Sequence, residues 1–485
     1  MKALLTACLA FGLLFGLKPL PRQPDQAPNI LFILADDWSY PYASIYGETY
    51  VRTPNLEKLA RHGVVFENAF CAAPSCTPSR AGILTGRYPH NLGEGVNLVG
   101  KLDVGVPTYV KALREQGYAV AFERKGWGPG DFRKMGYTEN PCGTDMEFAA
   151  LLDKLPASQP FFFWFGTQDP HRSFDKDAGK NAGVPADKVR VPAFLPDTPE
   201  IREDLSDYIS EIERLDREIG DLLKKLESSG RLENTIIVVT SDNGMPFPHA
   251  KANLYDYGTR VPLVVSSFGR QVQQNKRSDV FVNLIDLTPT FLDFAGMKNQ
   301  PVMDGRSLLP ILTGKKTTHR TEVFLERERH CLCRADFDYG AGYPMRAIRT
   351  KDYLYIQNLR PDRNPAGDEF IQGTPSEYGD VDGGITKMFL MDNRHLPAIK
   401  PYFDMGFEKR PAEELYVLKT DPYNIRNVAG SPAYKAVQAS LKKRLEAWMK
   451  ATNDPRCDGK GDEIDRYQAT TRAWITRDGI ILLDE

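Results

Sequence analysis

The stretch 29-NILFILADD-37 is an apolar run that ends in two aspartates. A run without alternation of polar and apolar residues is typical of a strand buried on both faces, as in a parallel sheet. Two later runs have the same form. Residues Phe161 to Phe165 are followed by Asp169-Pro170-His171, and Thr235 to Thr240 are followed by Ser241-Asp242-Asn243-Gly244.

Helical patterns lie between these runs. Residues Pro54 to His62 predict a short helix that begins with proline and is followed by glycine. Residues Glu200 to Ser229 predict a long helix with one apolar stripe, and Leu263 to Ser266 predict a further strand. This alternation indicates an α/β domain with a large, mainly parallel sheet flanked by helices. Ligands of open α/β sheets bind beyond the carboxyl ends of the strands, so we expect the three polar clusters to meet at one edge.

The second part of the chain has a different pattern of residue types. Residues 345–358, 387–392 and 413–418 are aromatic-rich, and Ala433 to Ala451 predict a helix. They indicate a smaller α+β domain with an antiparallel sheet and one packed helix. Pro361 to Gly384, rich in Pro, Gly and Asp, predicts a loop. The predicted units are a leader at 1–22, a catalytic domain at 27–342, a C-terminal subdomain at 343–455 and a tail without an assigned role at 456–485.

The overall charge and the N-terminus restrict the function classes. A formal net charge of −2 over 485 residues is unlike the basic balance of nucleic-acid binders, so no nucleic-acid partner is expected. Met1-Lys2 and the apolar run from Ala3 to Leu17 have the form of an export signal and are too short for a membrane span. We therefore expect an exported protein, periplasmic or secreted, without stable membrane insertion after signal removal.

The chain has seven cysteines, of which Cys8 lies in the predicted signal. The remaining six allow up to three disulfides, although a chain of this length does not need them. Cys331 and Cys333 are too close in sequence for a usual bridge. Without a second Cys or His cluster nearby, they are also a weak zinc signal.

Two of the polar clusters carry the ligand chemistry of a hard cation. Either Asp36-Asp37 or Asp242-Asn243, taken alone, is common in a turn or a helix cap. Together they offer three carboxylates and an amide oxygen, the oxygen ligands that calcium or magnesium prefers. The absence of Cys and His from this set argues against zinc.

The segment 76-CTPSRAGILTG-86 places a cysteine at the start of a predicted helix. Pro78 suits the first turn, so Cys76 is expected at the positive end of the helix dipole. A buried or disulfide-bonded cysteine is one interpretation. The other is a reactive thiol, whose pKa the positive end of the helix lowers.

The pattern C-x-P-S-R-A-x-x-x-T-G resembles the signature of the type I sulfatases of the alkaline phosphatase superfamily. With Asp36-Asp37 and Ser241-Asp242-Asn243-Gly244, the resemblance extends from Pro28 to about Thr452. It implies that a formylglycine-generating maturation enzyme oxidises Cys76 to Cα-formylglycine. One hydroxyl of the aldehyde hydrate would attack sulfur, and the other would then expel sulfate and restore the aldehyde.

The resemblance also implies a role for each matching residue. The metal site would comprise Asp36, Asp37, Asp242, Asn243 and the modified Cys76, with calcium as the cofactor and magnesium as the alternative. The remaining catalytic residues would be Arg80, which holds the hydrate and sulfate, Lys125 and Lys251, which neutralise sulfate oxygens, and His171, which protonates the leaving group or binds the bridging atom.

The chain departs from the family pattern at one motif, which in the family usually reads G-K-x-H. Here Lys125 is followed by Gly126 and Trp127, so the lysine is kept and the histidine is absent. Trp127 is expected to line the substrate pocket, and His249 or His330 could replace the histidine.

A subgroup is also suggested, because 169–172, 241–248, 253–255 and 343–346 resemble the heparan N-sulfatase branch, which acts on N-sulfoglucosamine. The substrate is then a sulfated carbohydrate, with O-sulfated galactose, galactosamine or glucosamine sugars as the alternative, and exo action at a chain end is one option. The cluster Glu326-Arg327-Glu328-Arg329-His330 either grips sugar hydroxyls, through Arg329 and His330, or is a solvated face. A phosphatase or phosphodiesterase of the same superfamily and a catalytically silent sugar-binding protein are the remaining alternatives.

Overall fold

The computed structural model describes residues 27–335, 340–371, 376–457, 461–470, 472–475 and 480–483. The predicted leader, residues 1–22, lies outside the described residues, as does part of the tail. The strands are β1 Asn29–Ala35, β2 Gly63–Phe70, β3 Ala119–Arg124, β4 Thr144–Asp145, β5 Phe161–Gly166, β6 Thr235–Ser241, β7 Arg260–Ser266, β8 Lys276–Asn283, β9 Glu322–Arg327, β10 Met345–Thr350, β11 Tyr353–Asn358, β12 Glu413–Val417, β13 Arg472–Ile475 and β14 Ile480–Leu483. The α-helices are α1 Pro54–Arg61, α2 Cys76–Thr85, α3 Tyr109–Glu115, α4 Phe148–Lys154, α5 Ala178–Ala182, α6 Pro199–Ser228, α7 Asp256–Thr259, α8 Leu287–Phe294, α9 Leu309–Leu312, α10 Ile385–Asn393, α11 Lys400–Phe407 and α12 Lys435–Ala451.

The main sheet has eight strands in the order β4-β3-β5-β1-β6-β7-β2-β8. All run in one direction except β7, which is antiparallel to both of its neighbours. The predicted large, mainly parallel sheet is therefore confirmed. The strand predicted at 263–266 is β7, and it is the exception to the parallel order.

Strand β1 shows why its sequence lacks alternation. Leu31 and Ile33 pack on the face covered by α1 and α6, whereas Ile30 and Phe32 pack on the opposite face, which is covered by α2, α3 and α8. Every residue of β1 is buried. Both faces of the strand therefore need apolar side chains, and the polar residues can begin only where the strand ends.

The second sheet is antiparallel, with the order β12-β11-β10-β9, and α12 packs on it. This agrees with the predicted smaller α+β unit. The first strand, β9, precedes the predicted boundary between residues 342 and 343, so that boundary stays a prediction.

The prediction that residues 387–392 belong to the antiparallel sheet is wrong. They form most of α10, in which Leu390 and Met391 are buried in the core of the large domain together with Phe403 and Phe407 of α11. Four consecutive apolar residues, 388–391, do not alternate as a half-buried strand does. Packing against the large domain decides the conformation of this segment.

Buried charges join the second sheet to the chain that follows α12. Arg346 of β10 donates to both carboxylate oxygens of Asp454, at 2.6 and 3.0 Å, and to Glu328 at 2.8 Å. All three side chains are inaccessible to solvent. Such a network is costly to break, because the remaining charges lose their partners without regaining water.

Two of the sequence expectations concern disulfide bonds and membrane-spanning helices. Cys71, Cys76, Cys142, Cys331 and Cys333 are free thiols, so none of the disulfides that the cysteine count allows joins any of them. Within the described part of the chain, no helix has both the length and the hydrophobicity needed to cross a bilayer.

We predict that Arg346→Ala lowers the free energy of unfolding by about 3–5 kcal/mol, because it leaves buried carboxylates unpaired. The matched control is Arg444→Ala, which removes an ion pair between α12 and Glu322 of β9 in which the arginine side chain is 42% exposed. That change is expected to cost less than about 1 kcal/mol. Denaturant unfolding of both variants measures the difference, and equal losses would contradict a special role for the buried network.

Candidate active site

The predicted polar clusters meet at one edge of the main sheet because β5, β1 and β6 are adjacent and parallel. Their ends are joined by backbone hydrogen bonds, from Asp36 N to the carbonyl oxygen of Asp169 and from Asp242 N to that of Ala35, both 3.1 Å. Asp37 has a φ of 72°, a left-handed conformation that aspartate tolerates better than most residues. The chain therefore turns sharply, directly beyond the strand.

Helix α2 directs its first turn at this edge. Cys76 is its first residue, and Ser75 before it is extended, with φ −158° and ψ 140°. Because residues four apart share a helix face, Cys76 and Arg80 point the same way. The Cys76 Sγ lies 3.5 Å from Asp36 Oδ1 and 3.5 Å from Lys125 Nζ.

Of the two interpretations of Cys76, the structure agrees with a buried cysteine, which is a free thiol, and not with a lowered thiol pKa in the unmodified residue. Burial raises the pKa of Cys76 well above its usual value, and the neighbouring Lys125 ammonium opposes that shift without overcoming it. The Asp36 carboxylate raises the pKa further. The position at a helix N-terminus is confirmed, yet here desolvation exceeds the effect of the nearby positive charge.

Arg80 is held rigidly behind the cysteine. Its Nε donates to Asp242 Oδ2 at 2.8 Å, and its Nη1 donates to the carbonyl oxygens of Lys125 and Gly126 at 3.1 and 2.9 Å. Its Nη2 lies 3.6 Å from Asp36 Oδ1 and makes no hydrogen bond to any described residue. One guanidinium NH2 group therefore remains available beside Asp36.

Lys125 reaches the site because β3 and β5 approach each other closely. Lys125 N donates to the carbonyl oxygen of Gly166 at 2.9 Å. A Cβ on Gly166 would lie only 1.7 Å from the Lys125 carbonyl oxygen, so this position requires glycine. The Lys125 ammonium forms an ion pair with Asp36. Burial alone would raise the pKa of Asp36, but Lys125 and the other cations hold it well below its usual range.

Lys251 and His171 complete the group around Asp37. The Lys251 ammonium lies 2.7 Å from Asp37 Oδ2 and 3.1 Å from Asp382 Oδ2. The Nε2 of His171 lies 3.7 Å from Asp37 Oδ2, and its Nδ1 lies within hydrogen-bond distance of the Arg172 carbonyl oxygen. Burial, reinforced by Lys251, lowers the pKa of His171 to about 4, so the ring is neutral at pH 7.

The donor set at the sheet edge fits a hard divalent cation. Oxygen or sulfur donors of Asp36, Asp242 and Cys76 lie within 4.8 Å of one another. The side-chain amide nitrogen of Asn243 donates to Asp37 Oδ1 at 2.6 Å, while Asn243 Oδ1 is buried and accepts no hydrogen bond from the described residues. A buried carbonyl oxygen without a donor is costly unless a ligand satisfies it, and a cation would do so.

Beside this group lies a cavity of about 1070 Å³. The expected pocket residues Trp127 and His330 both line it, together with Cys76, Lys125, His171 and Lys251. The Nδ1 of His330 lies 2.8 Å from Ser75 Oγ, directly before α2. Burial lowers the pKa of His330 to about 4. A neutral imidazole therefore stands next to Cys76, and Trp127 supplies an apolar wall.

Two residues expected to bind substrate do not line this cavity. His249 is stacked on Tyr255, and its ring nitrogens lie 3.2 and 3.1 Å from the carbonyl oxygens of Met405 and Asn424. The guanidinium of Arg329 donates to the carbonyl oxygens of Gly340 and Tyr467. Both side chains are thus occupied in internal packing.

The alternative that residues 326–330 form a solvated face is also wrong. Glu326, Arg327, Glu328, Arg329 and His330 are each at most 3% exposed. Within this segment only His330 lines the cavity. The charges pair with other buried groups in the interior of the protein and do not face water.

Sequence reasoning missed Asp382, which lines the cavity and pairs with Lys251. It belongs to the segment that composition predicted as a loop, 361–384, and the described parts of that segment, 361–371 and 376–384, contain neither helix nor strand. Three acidic residues lie in 377-EYGDVD-382, and neither their spacing nor their composition distinguishes a site residue from a loop residue. Only the folded chain brings this carboxylate beside Lys251.

Comparison with known proteins gives two matching family models. The model named Sulfatase matches residues 28–297. The model named N-sulphoglucosamine sulphohydrolase, C-terminal, matches residues 248–360. The first covers more than half of the chain and contains Asp36, Cys76, Lys125, His171 and Asp242.

Individual proteins agree with the models. Human N-sulphoglucosamine sulphohydrolase is 29% identical over 93% of this chain and 94% of its own length. An ulvan-active sulfatase of Formosa agariphila is 27% identical over 90% of this chain and 77% of its own length. A protein solved in complex with its substrate D-glucosamine-2-N,6-O-disulfate shares the fold, with a TM-score of 0.63, 20% identity, and coverage of 90% of this chain and 100% of its own.

We predict that calcium raises the thermal unfolding midpoint of the metal-stripped protein. At a free calcium concentration of a hundred times Kd, binding stabilises the folded state by about 2.7 kcal/mol. Asp37→Asn retains the shape of the side chain but removes one charge, so it is expected to abolish most of this shift. Asp153→Asn, an exposed residue of α4, is the control. A shift that Asp37→Asn leaves unchanged would place the cation elsewhere, and parallel titration with magnesium identifies the preferred ion.

Proposed function

The chain belongs to the sulfatase family, and on that premise we propose that it removes sulfate from an amino sugar, with N-sulfoglucosamine as the substrate. As a sulfatase it hydrolyses sulfate esters or sulfamates. The observation that carries the proposal is a single cavity lined by Cys76, Lys125, His171 and Lys251, at which Asp36, Asp242 and Cys76 bring possible cation donors within 4.8 Å of one another.

The charge balance of the site supports an anionic substrate. Four buried carboxylates, Asp36, Asp37, Asp242 and Asp382, face three cations, Arg80, Lys125 and Lys251. His171 and His330 are neutral because burial lowers the pKa of each to about 4. Burial raises the pKa of Asp37 to about 7 and that of Asp242 to about 6, and a bound divalent cation would favour the ionised form of both. With all four carboxylates ionised, such a cation changes the net charge over these side chains from −1 to +1. One singly charged sulfate group then neutralises the site.

The cofactors of the proposal are calcium and formylglycine. Asp36, Asp37, Asp242 and Asn243 would hold the calcium, whose charge would stabilise negative charge on sulfate oxygens. Conversion of Cys76 to formylglycine would supply a hydrated aldehyde, whose hydroxyl is the nucleophile for sulfur. A formylglycine-generating enzyme is thus a necessary partner in maturation.

The residues of the chain then have distinct tasks. Lys125 and Lys251 present ammonium groups to the sulfate oxygens, and Arg80 holds the residue at position 76 in line with the cavity. These charges are fixed by hydrogen bonds and shielded from water, so they act strongly and need little reorganisation. His171 faces the atom that bridges sulfur and sugar, which is a nitrogen in a sulfamate and an oxygen in an ester.

Support for N-sulfoglucosamine comes from the family model that matches the later part of the chain. The family model named for N-sulphoglucosamine sulphohydrolase covers residues 248–360, which contain Lys251 and His330. Both line the cavity. The human enzyme of that name is similar to this chain over 93% of this chain.

An O-sulfated sugar is the second candidate. The ulvan-active sulfatase of Formosa agariphila is nearly as similar, at 27% identity. Neither the cations nor the acidic cluster distinguishes a sulfamate from a sulfate ester, because both present the same sulfate oxygens. The bridging atom near His171 is the difference between the two substrates.

We also propose that the protein is exported to the periplasm or secreted. The apolar run from Ala3 to Leu17 supports this location. The substrate class agrees with it, since sulfated polysaccharides lie outside the cytoplasm.

The test is sulfate release by protein matured with a formylglycine-generating enzyme, in the presence of calcium. The panel comprises N-sulfoglucosamine, 6-O-sulfated N-acetylglucosamine, and 4-O- and 6-O-sulfated N-acetylgalactosamine. We expect release from N-sulfoglucosamine, and we expect Cys76→Ala to lower it by at least about 1000-fold, as for loss of other catalytic nucleophiles. Cys142→Ala, another buried thiol, is the control and should retain activity.

The outcomes separate the alternatives. Release from an O-sulfated sugar alone would keep the mechanism and replace the substrate. If no sugar is cleaved and mass spectrometry of the Cys76 peptide finds only thiol after coexpression with the maturation enzyme, the protein is a sugar-binding homologue and not a sulfatase.

A further inference from the structure

The carboxylate of Asp382 is anomalous in a cavity that is to receive sulfate. Asp382 is 6% exposed, lines the same cavity as Cys76 and His171, and lies 3.1 Å from the Lys251 ammonium. Burial alone would raise its pKa, but the neighbouring Lys251 ammonium holds it well below the usual value, so the group is ionised. A fixed negative charge repels sulfate and therefore requires another explanation.

The loop that carries Asp382 is anchored on both sides. On one side Asp380 accepts hydrogen bonds from Arg327, Arg334 and the backbone N–H of Cys331, at 2.5, 2.7 and 2.7 Å. Close to Asp382 itself, the Lys387 ammonium donates to the carbonyl oxygen of Val381 at 2.8 Å. The position of the carboxylate is thus set by the second sheet and by α10.

The other side of the loop is fixed to the large domain. Asp204 of α6 accepts hydrogen bonds from the backbone N–H and the hydroxyl of Thr386, and it forms a two-bond ion pair with Arg172. Gly384 packs so closely on this arginine that a Cβ would lie 2.3 Å from its Nη1. Asp204 is 1% exposed. A loop held by buried ion pairs at both ends places its acid with the precision that recognition needs.

Residues from two parts of the chain line this cavity. Cys76, Lys125 and His171 come from the first part, whereas His330 and Asp382 come from segments after residue 327. Lys251 lies between Asp37 and Asp382. A carboxylate and a neutral imidazole recognise hydrogen-bond donors and acceptors, which on this substrate are sugar hydroxyls.

We propose that Asp382 is a specificity-determining residue, which accepts a hydrogen bond from a hydroxyl of the sugar ring beside the sulfated position. This inference rests on the proposed function and names the residue that distinguishes a sugar sulfate from other sulfates. The hydroxyl donates to acceptor positions that the carboxylate retains beside Lys251. An aryl sulfate without hydroxyls cannot use this contact.

The experiment compares two substrates in the same matured protein with calcium. The first is N-sulfoglucosamine, or the O-sulfated sugar that the wild type cleaves, and the second is 4-nitrophenyl sulfate. For Asp382→Asn we expect kcat/KM to fall about 10- to 100-fold with the sugar, since a hydrogen bond to a charged group is lost. With the aryl sulfate we expect a smaller fall, of about threefold, because the substitution then acts only through the pairing of Asp382 with Lys251. Asp382→Ala should increase the difference, because it removes the acceptor entirely.

The ratio of the two kcat/KM values does not depend on the folded fraction, so partial unfolding of a variant leaves the result interpretable. Asp153→Asn serves as the charge-matched control on the surface of α4 and should leave the ratio unchanged. An unchanged ratio would overturn the inference, whether both substrates lose activity equally or neither loses any. Equal losses would make Asp382 a positioning residue for Lys251. If the wild type releases sulfate from neither substrate, the proposed function fails, and this inference fails with it.

Discussion

The arrangement of the site depends on buried carboxylates that must each have a cationic partner. Asp36 pairs with Lys125, Asp242 with Arg80, and Asp37 with Lys251, and all three carboxylates are at most 1% exposed. Removing such charges from water costs several kcal/mol each unless a partner lies close by. The strands, the helix and the loops around the site therefore have to bring these pairs together, and the fold is organised to do so.

Each pair joins segments that are distant in sequence. The carboxylates come from the ends of β1 and β6, while the cations come from α2, from the end of β3 and from the loop after β6. The parallel order β3-β5-β1-β6 sets the distances between them. Helix α2, buried along its whole length, fixes Cys76 beside Asp36 and Lys125. Sulfatase chemistry needs this concentration of charge, since a sulfate group must be stripped of water and still be stabilised during attack.

The smaller α+β unit contributes residues to the cavity. Its strand β9 leads directly to His330, and the loop before α10 brings in Asp382. Residues from both halves of the chain thus line one cavity.

The sequence by itself determined the parts that depend on local pattern. Unbroken apolar runs such as 29–35 require burial on both faces, which predicts the parallel sheet and the shared edge where Asp36, Asp37, Asp242 and Asn243 meet. The spacing of Cys76 and Arg80 predicts one helix face. Tertiary structure alone decided the rest. Residues 387–392 became a helix because the large domain offers an apolar surface, His249 and Arg329 were taken into internal packing, and burial raised the Cys76 pKa against the helix dipole. Asp382 entered the site from a loop without any motif. Each of these outcomes is set by desolvation and by contacts between distant segments, which a local pattern of residues does not contain.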